Sequence, residues 1–390
     1  MIKYLYIIFK RMVIKVIKIL ILLYKYIASF IYNIFKIKKT KNKLLLLSRQ
    51  STEIPLDFSL LKKEFEENNI KVKYISTKYN KGIINFIRYS FNFLLSLYHL
   101  ADSKYCVIDG YLPQISTLKH KEDLKVLQIW HALGAIKKFG FQSLDKKEGR
   151  KQELANMLNM HKNYTYISSP SKNTSQIYEK AFATDKKQIK IIGMPRVDYL
   201  LKMKENKNED KEIYKDYPYL KEKKTIVYVP TFRKKSKIKY EELINIVDKN
   251  EFNLIIRLHP LDKNIIPVEN SISRKYNTYD LLNIADYIVT DYSAIMLEAS
   301  ILNKPLYLYV YDYNKYKKNR GLNIDLKKEL KKAIVYNETE LINKIKREEY
   351  DYMSLIRFKN KYVETLNFNN TKAIYNLLVK EIEETNDEKN

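Results

Sequence analysis

At 390 residues the chain exceeds one ordinary core, and an allowance of about 150 residues per domain suggests two or three. Hydrophobic residues at 45% and aromatics at 13% exclude a disordered polymer, and a single cysteine excludes a disulfide scaffold or a thiolate-cluster metal site. The 72 Lys and Arg against 45 Asp and Glu leave a net charge of +27, a sign of anionic partners that is partly discounted by a general bias towards Lys, Ile, Asn and Tyr.

Residues 1–43 hold eleven basic residues and no acid. A secretory leader needs an unbroken apolar run and a small-residue cleavage site; the early run 19–24 is six residues long and no such site follows. A spanning helix needs about 20 apolar residues, and the best window, 19–35, contains Lys25. At about 100° per residue, Lys3, Lys10, Arg11, Lys15, Lys18, Lys25 and Lys36 share an arc of about 140° opposite Ile, Leu, Phe and Tyr. This pattern favours an amphipathic helix lying in the interface of an anionic membrane, with tyrosines at the headgroup boundary. Positive-inside logic keeps the body cytoplasmic.

Beyond residue 43, short apolar runs alternate with helical stretches. Strands are expected at 44–48, 72–76, 105–109, 125–130, 164–168 and 189–192, with helices at 58–68, 84–100 and 172–182. A second series places strands at 225–229, 252–257, 286–290 and 305–310 and helices near 240–248, 278–285 and 293–302. Continuous apolar strands are covered on both faces, so the sheets are parallel. The expectation is α/β: two doubly wound domains, 44–205 and 206–350, facing a cleft, preceded by the segment 1–43. The charged stretch 201–222 reads as the link between them. A C-terminal helix near 353–383, within 351–390, packs back on the body and ends in a frayed tail.

Ligands of such sheets bind beyond the carboxyl ends of the strands. Two of the five histidines stand there, His131 after 125–130 and His259 after 252–257, one in each half. Imidazole is the usual general base near neutral pH. A strand-end capping role is the competing reading, weakened by the two occurring together. His99 reads as structural, and His120 and His161 as exposed. Near His131, Gly134 and Gly140 allow tight turns, and Lys137 and Lys138 offer charge to a phosphorylated substrate or to solvent. Thr290, Asp291 and Ser293 precede a helix whose N-terminus suits phosphate, unless they serve only as caps. Thr231 and Arg233 follow another strand and can hold phosphate oxygens, and Arg257 lies two residues before His259. Arg196 and Arg320 join Gly134, Lys137 and Lys138 as candidates for an acceptor or auxiliary role, with a structural Arg196–Asp198 pair as the competing reading for the first and contact with a headgroup or base from a polar loop as the role of the second. No metal-ligand spacing, Walker loop, G-x-G-x-x-G, G-x-S-x-G elbow or nucleic-acid module occurs. No nucleic-acid partner and no protein metal-ligand set is therefore expected and no cofactor is firmly indicated, while dependence on Mg²⁺ stays open because no carboxylate cluster demands it.

The run from Trp130-His131 through Lys137-Lys138-Phe139-Gly140 resembles the W-H-x-x-G-x-x-K-K-x-G signature of the CDP-glycerol glycerophosphotransferase family, the teichoic acid primases and polymerases. Ser169-Pro170-Ser171, Gly193-x-Pro195-Arg196-x-Asp198, Val229-Pro230-Thr231-Phe232-Arg233, Arg257-x-His259-Pro260, Thr290-Asp291-Tyr292-Ser293 and Arg320-Gly321 follow in family order. The resemblance implies a GT-B-like fold attached peripherally to the cytoplasmic membrane face. It implies transfer of glycerol or ribitol phosphate from CDP-glycerol or CDP-ribitol to a lipid-linked glycan or polyol-phosphate acceptor, with release of CMP, in teichoic acid or capsule-type polymer synthesis. His131 would then take the acceptor proton. His259 and Arg257 would hold the pyrophosphate, and Thr290, Ser293 and the adjacent helix would bind phosphate. Leu322-Asn323-Ile324-Asp325 departs from the family's usual aromatic pair, so donor identity stays open, as does the choice of primase, polymerase or capsule enzyme. The alternative on the same fold is a nucleotide-sugar glycosyltransferase.

Overall fold

The computed structural model describes residues 2–79, 81–146, 149–206, 212–233, 237–262 and 264–380. The leucine run 44–47 is wholly buried and forms the middle of β1 (Lys41–Ser48). With β2 (Lys71–Ser76), β3 (Ser103–Ile108), β4 (Lys125–Gln128), β5 (Tyr166–Ser169) and β6 (Ile189–Ile191) it makes a sheet of order β2-β1-β3-β4-β5-β6. A second sheet, β11-β10-β9-β7-β8, is built from β7 (Lys224–Tyr228), β8 (Phe252–Ile256), β9 (Tyr287–Thr290), β10 (Leu306–Tyr309) and β11 (Ile334–Val335). Every neighbouring pair is parallel. The expected α/β class with parallel sheets is therefore what the chain adopts.

In both sheets the chain winds one way and then reverses, at β1/β3 in the first and β7/β9 in the second. Strand-end crevices open at such reversal points. A shared apolar core joins the halves: Leu133, Ile136 and Val197 from the first pack with Ile288, Met296 and Leu297 from the second.

Several boundaries differ from expectation for physical reasons. β1 begins at Lys41 because Asp102 neutralises the buried Lys43 and also pairs with Lys38, so charged residues can enter the sheet. The stretch 201–222 is not a bare link: the helix Pro195–Glu205 runs into it, and Ile213 and Leu220 are buried in the shared core. The C-terminal helix is two helices. Tyr352–Tyr362 buries Leu355 and Phe358 in the shared core, and Asn370–Val379 buries Ile374 and Leu378 against the first sheet. Asp198 caps the second of these, accepting from the Asn370 N–H at 3.0 Å and the Thr371 N–H at 2.8 Å. The expected tail, 381–390, lies outside the described residues.

Helix α1 (Ile2–Phe35) turns Tyr24, Ala28 and Tyr32 toward the body; of α2 (Leu56–Glu67) and α3 (Ile83–Leu100) it packs chiefly on α3, through Tyr24–Phe93 and Phe35–Tyr98, and Tyr32 also meets His120 edge-on. Lys18 pairs with Glu153, and Lys25 donates to the Met157 carbonyl at 3.1 Å. Val16, Leu20, Leu23, Ile27 and Phe30 stay exposed. Among the described residues no helix is long and apolar enough to cross a membrane.

Candidate active site

β4 ends at Gln128, and Trp130 then takes a left-handed conformation (φ 60°) that costs a non-glycine residue about 1–2 kcal/mol. Two contacts hold it: its N–H donates to Gln128 Oε1 at 2.7 Å, and its ring stacks on Phe139 at 4.3 Å. The turn presents His131, whose ring is open to solvent. Gln50 Nε2 lies 3.5 Å from its Nδ1. Crowding by surrounding protein, the Arg196 charge and then Lys137 push the imidazole pKa down to about 4, so the ring is in its unprotonated form over the physiological range.

His259 follows β8 and faces a cleft of ≈ 900 Å³, also lined by Gln50, Lys137, Arg257, Arg274 and Ser293. Gln50 thus touches one histidine and shares the cleft wall with the other. The Leu261 N–H donates to His259 Nδ1 at 3.1 Å, which assigns the ring proton to Nε2 and makes that nitrogen a donor toward the cleft. Burial and then Lys137 lower its pKa. Arg257 is buried and donates to the Tyr276 carbonyl at 3.1 Å; burial and Arg274 push its pKa down to about 10. Arg274 donates to the Leu258 carbonyl at 3.2 Å. Among the described residues neither arginine pairs with a carboxylate, so the cleft keeps uncompensated positive charge. The Thr231 hydroxyl is buried at its edge without a hydrogen-bond partner among the described residues.

The remaining expected residues divide. Ser293 lines the cleft just before the helix Ile295–Ile301. Thr290 is fully buried, its hydroxyl donating to the Val229 carbonyl at 2.7 Å, and Asp291 is fully buried against the Thr231 N–H and Arg233. Arg233 commits four of its five N–H donors to Asp291, Asp312 and the Thr231 carbonyl. Of the six residues read as phosphate ligands, Thr290 and Asp291 therefore form support behind the cleft, and Arg233, on its wall, is held by two carboxylates.

Gly134 (φ 75°) lies against the second half: a β-carbon there would sit 2.6 Å from Leu297 Cδ1. Lys138 lines neither cavity wall; its N–H donates to the Gly321 carbonyl at 3.1 Å, tying the His131 loop to the loop of Arg320. Arg196 does not pair with Asp198. Its guanidinium binds Asp57 and, at 3.0 Å, Glu298, and donates to the His131 carbonyl at 3.1 Å. Burial opposes its charge, but Asp57 and Glu298 more than offset this and raise its pKa above the ordinary range. His161, expected exposed, is buried.

The chain matches the sequence profile of the CDP-Glycerol:Poly(glycerophosphate) glycerophosphotransferase family over residues 29–380. It belongs to that family. It is 27% identical over 369 residues to the teichoic acid poly(ribitol-phosphate) polymerase of Bacillus spizizenii, covering 90% of this chain and 58% of that one. It is 29% identical over 294 residues to the teichoic acid glycerol-phosphate primase of Bacillus subtilis, covering 73% of this chain and 75% of that one. Its fold is that of the wall teichoic acid polymerase TagF: a histidine variant soaked with CDPG superposes with a TM-score of 0.72 at 19% identity, over 94% of this chain and 98% of that one.

Within this glycerophosphotransferase-family site, sequence reading overlooked Arg49, Gln50 and Arg274. Arg49 and Gln50 directly follow β1, so the strand-end rule that singled out the histidines reaches them too. Arg274 stands in a loop with no local signal. It is brought in by the turn that returns Tyr276 to Arg257.

Proposed function

We propose that this chain transfers glycerol or ribitol phosphate from a CDP-polyol to a hydroxyl of a membrane-linked acceptor, releasing CMP, in teichoic acid or capsule-type polymer synthesis. The reading is carried by one arrangement. His131 and His259 come from different sheets and are linked by Gln50, which lies against the His131 ring and shares a cleft wall with His259, and that cleft holds two arginines without carboxylate partners among the described residues. The acceptor hydroxyl attacks the β-phosphorus of the donor. A new O–P bond forms, the bond from that phosphorus to the bridging oxygen breaks, and the electron pair leaves with CMP. The hydroxyl proton passes to His131. His259 Nε2, with Arg257 and Arg274, faces the departing diphosphate oxygens, while Ser293 and the Thr231 hydroxyl supply further donors. This is catalysis by positioning and charge stabilisation.

Purified protein given a lipid-linked acceptor and each CDP-polyol is expected to release CMP and form a phosphodiester, read by phosphorus NMR of the product. No CMP from either donor, or a glycosidic product from a UDP- or GDP-sugar instead, refutes the assignment.

The same reading puts the protein peripherally on the cytoplasmic face of the bacterial cell membrane, docked on anionic lipid through α1 and α3. Its support is an inverted packing preference. Lysines of α1 reach back to the body while the apolar arc faces solvent, and the adjoining α3 exposes Ile83 (80%), Ile84 (75%), Ile87 (62%) and Phe91 (63%). Apolar patches of this extent mark lipid or protein contacts. Full burial of one such side chain contributes about 1.5–3 kcal/mol, so Ile87→Glu with Phe91→Glu is expected to weaken binding to phosphatidylglycerol vesicles at least about tenfold. Co-sedimentation measures it, and unchanged binding counts against docking through α3.

A further inference from the structure

A second cavity, of ≈ 310 Å³, lies beside the donor cleft and shares Gln50 and Arg320 with it. Its wall carries Arg49, Arg150, Arg320, Tyr111 and Trp130. Arg49 follows β1 and Tyr111 follows β3, so the cavity sits at the reversal point of the first sheet, as the donor cleft sits at that of the second. Both are the positions at which doubly wound sheets take ligands.

The charge in this cavity is not balanced from within. Arg49 donates to the Tyr111 carbonyl at 2.9 Å, and the Arg150 guanidinium lies over the Tyr111 ring at 4.9 Å. Among the described residues neither forms an ion pair with a carboxylate. Burial and the neighbouring Arg49 lower the pKa of Arg150, so the free protein holds these two charges at a cost. His161, on the same wall, is pushed to about 3 by burial, Arg150 and Arg49, and contributes a neutral ring rather than a charge added to those of the three arginines. Tyr111 and Trp130 supply apolar faces, and Trp130 is the residue before His131, with ring centroids 4.4 Å apart. The cavity is thus cationic, partly aromatic, small, and next to the proposed base.

The geometry points to an acceptor subsite: Arg49 and Arg150 hold the phosphate of a polyol phosphate whose free hydroxyl reaches His131. This rests on the phosphotransfer reading and deepens it by assigning the acceptor's anionic end to the first sheet, apart from the donor diphosphate in the second. A phosphate there relieves the repulsion between the arginines through charge-assisted, fork-shaped hydrogen bonds. A neutral polyol gains none of this.

The test uses sn-glycerol 3-phosphate, glycerol and inorganic phosphate as probes, with the full chain. Titration calorimetry with CDP present to fill the donor cleft is expected to show saturable glycerol 3-phosphate binding that Arg150→Gln weakens about 10–100-fold. In CMP-release assays the same variant raises the KM for glycerol 3-phosphate by a similar factor, and the donor KM moves less than about twofold. Wild-type enzyme uses glycerol much less well than glycerol 3-phosphate. Absence of glycerol 3-phosphate binding by the wild type overturns the subsite, whatever the variant does. So does an unchanged acceptor KM in Arg150→Gln, or glycerol serving equally well. Inorganic phosphate binding as tightly as glycerol 3-phosphate overturns the acceptor assignment in favour of a free-phosphate site. If Arg150→Gln fails to fold by circular dichroism, Arg150→Lys replaces it; keeping the charge but losing the fork, it is expected to raise the acceptor KM by a smaller factor, and an unchanged KM overturns the subsite. Failure of the phosphotransfer reading looks different: no CMP from any donor, while the calorimetric loss in Arg150→Gln persists.

Discussion

Replacing His131 with alanine is expected to slow CMP release by about 10²–10⁴-fold, the range for removal of a positioned proton acceptor. The reason lies in how the chain delivers this ring. The left-handed Trp130, clamped by Gln128 and stacked on Phe139, presents the imidazole to Gln50 of the cleft wall, and the Arg196 bond to the His131 carbonyl holds the turn. The proposed mechanism assigns the donor diphosphate to His259, Arg257 and Arg274, so the donor KM is expected to change little. The pH profile carries the sign. Surrounding protein and neighbouring cations lower the His131 pKa to about 4, so the base form persists as pH falls, and the acid limb of kcat/KM is expected near that value rather than near neutrality. A group required in its protonated form would give the opposite, activity rising toward acid. Single-turnover CMP release across pH decides between them.

Arg196→Met is expected to destabilise the protein by about 3–5 kcal/mol, the usual consequence of removing one partner from a buried ionic cluster. Arg196 joins the Asp57 carboxylate of α2, the Glu298 carboxylate beneath the cleft and the His131 carbonyl, so its loss strands two acids away from water. Denaturant unfolding measures this, and adding Asp57→Asn and Glu298→Gln is expected to restore part of the loss. Burial already raises the Glu298 pKa, and without Arg196 it rises further. A carboxyl raised above its unfolded value stabilises at low pH and loses that contribution as pH climbs through the folded value. The penalty in Arg196→Met is therefore larger at pH 8 than at pH 5. A penalty independent of pH would mean that the two acids are not stranded.

The elements that could be read from sequence were those with one-dimensional signatures. The buried leucine run of β1, the strand before His131 and the helix at 172–182 follow from local pattern alone. His131 and His259 were legible because strand-end position is a local property. Partner choice was not. Arg233 lies near Thr231 in the chain, yet Asp312, 79 residues away, takes its fork. Arg196 stands two residues from Asp198, but successive helical positions point apart, and Asp57 and Glu298 claim it instead. Helical periodicity found the two faces of α1 but not which one meets the body; Glu153 and the Met157 carbonyl decide that from the far side of the fold. Arg274 and Arg150 carry no signal because their neighbours are set only when the loops close.

The sequence contains a single tryptophan among 34 tyrosines. It stands at the one turn where it adjoins His131, stacks on Phe139 and forms part of the smaller cavity's wall. Excited at the red edge, where tyrosine does not absorb, its indole emission is a built-in optical reporter of that turn. A molecule entering the smaller cavity touches the fluorophore directly, whereas one confined to the larger cleft reaches it through residues the two cavities share, Gln50 and Arg320. Quenching experiments can therefore time the arrival of each reactant without attaching a label.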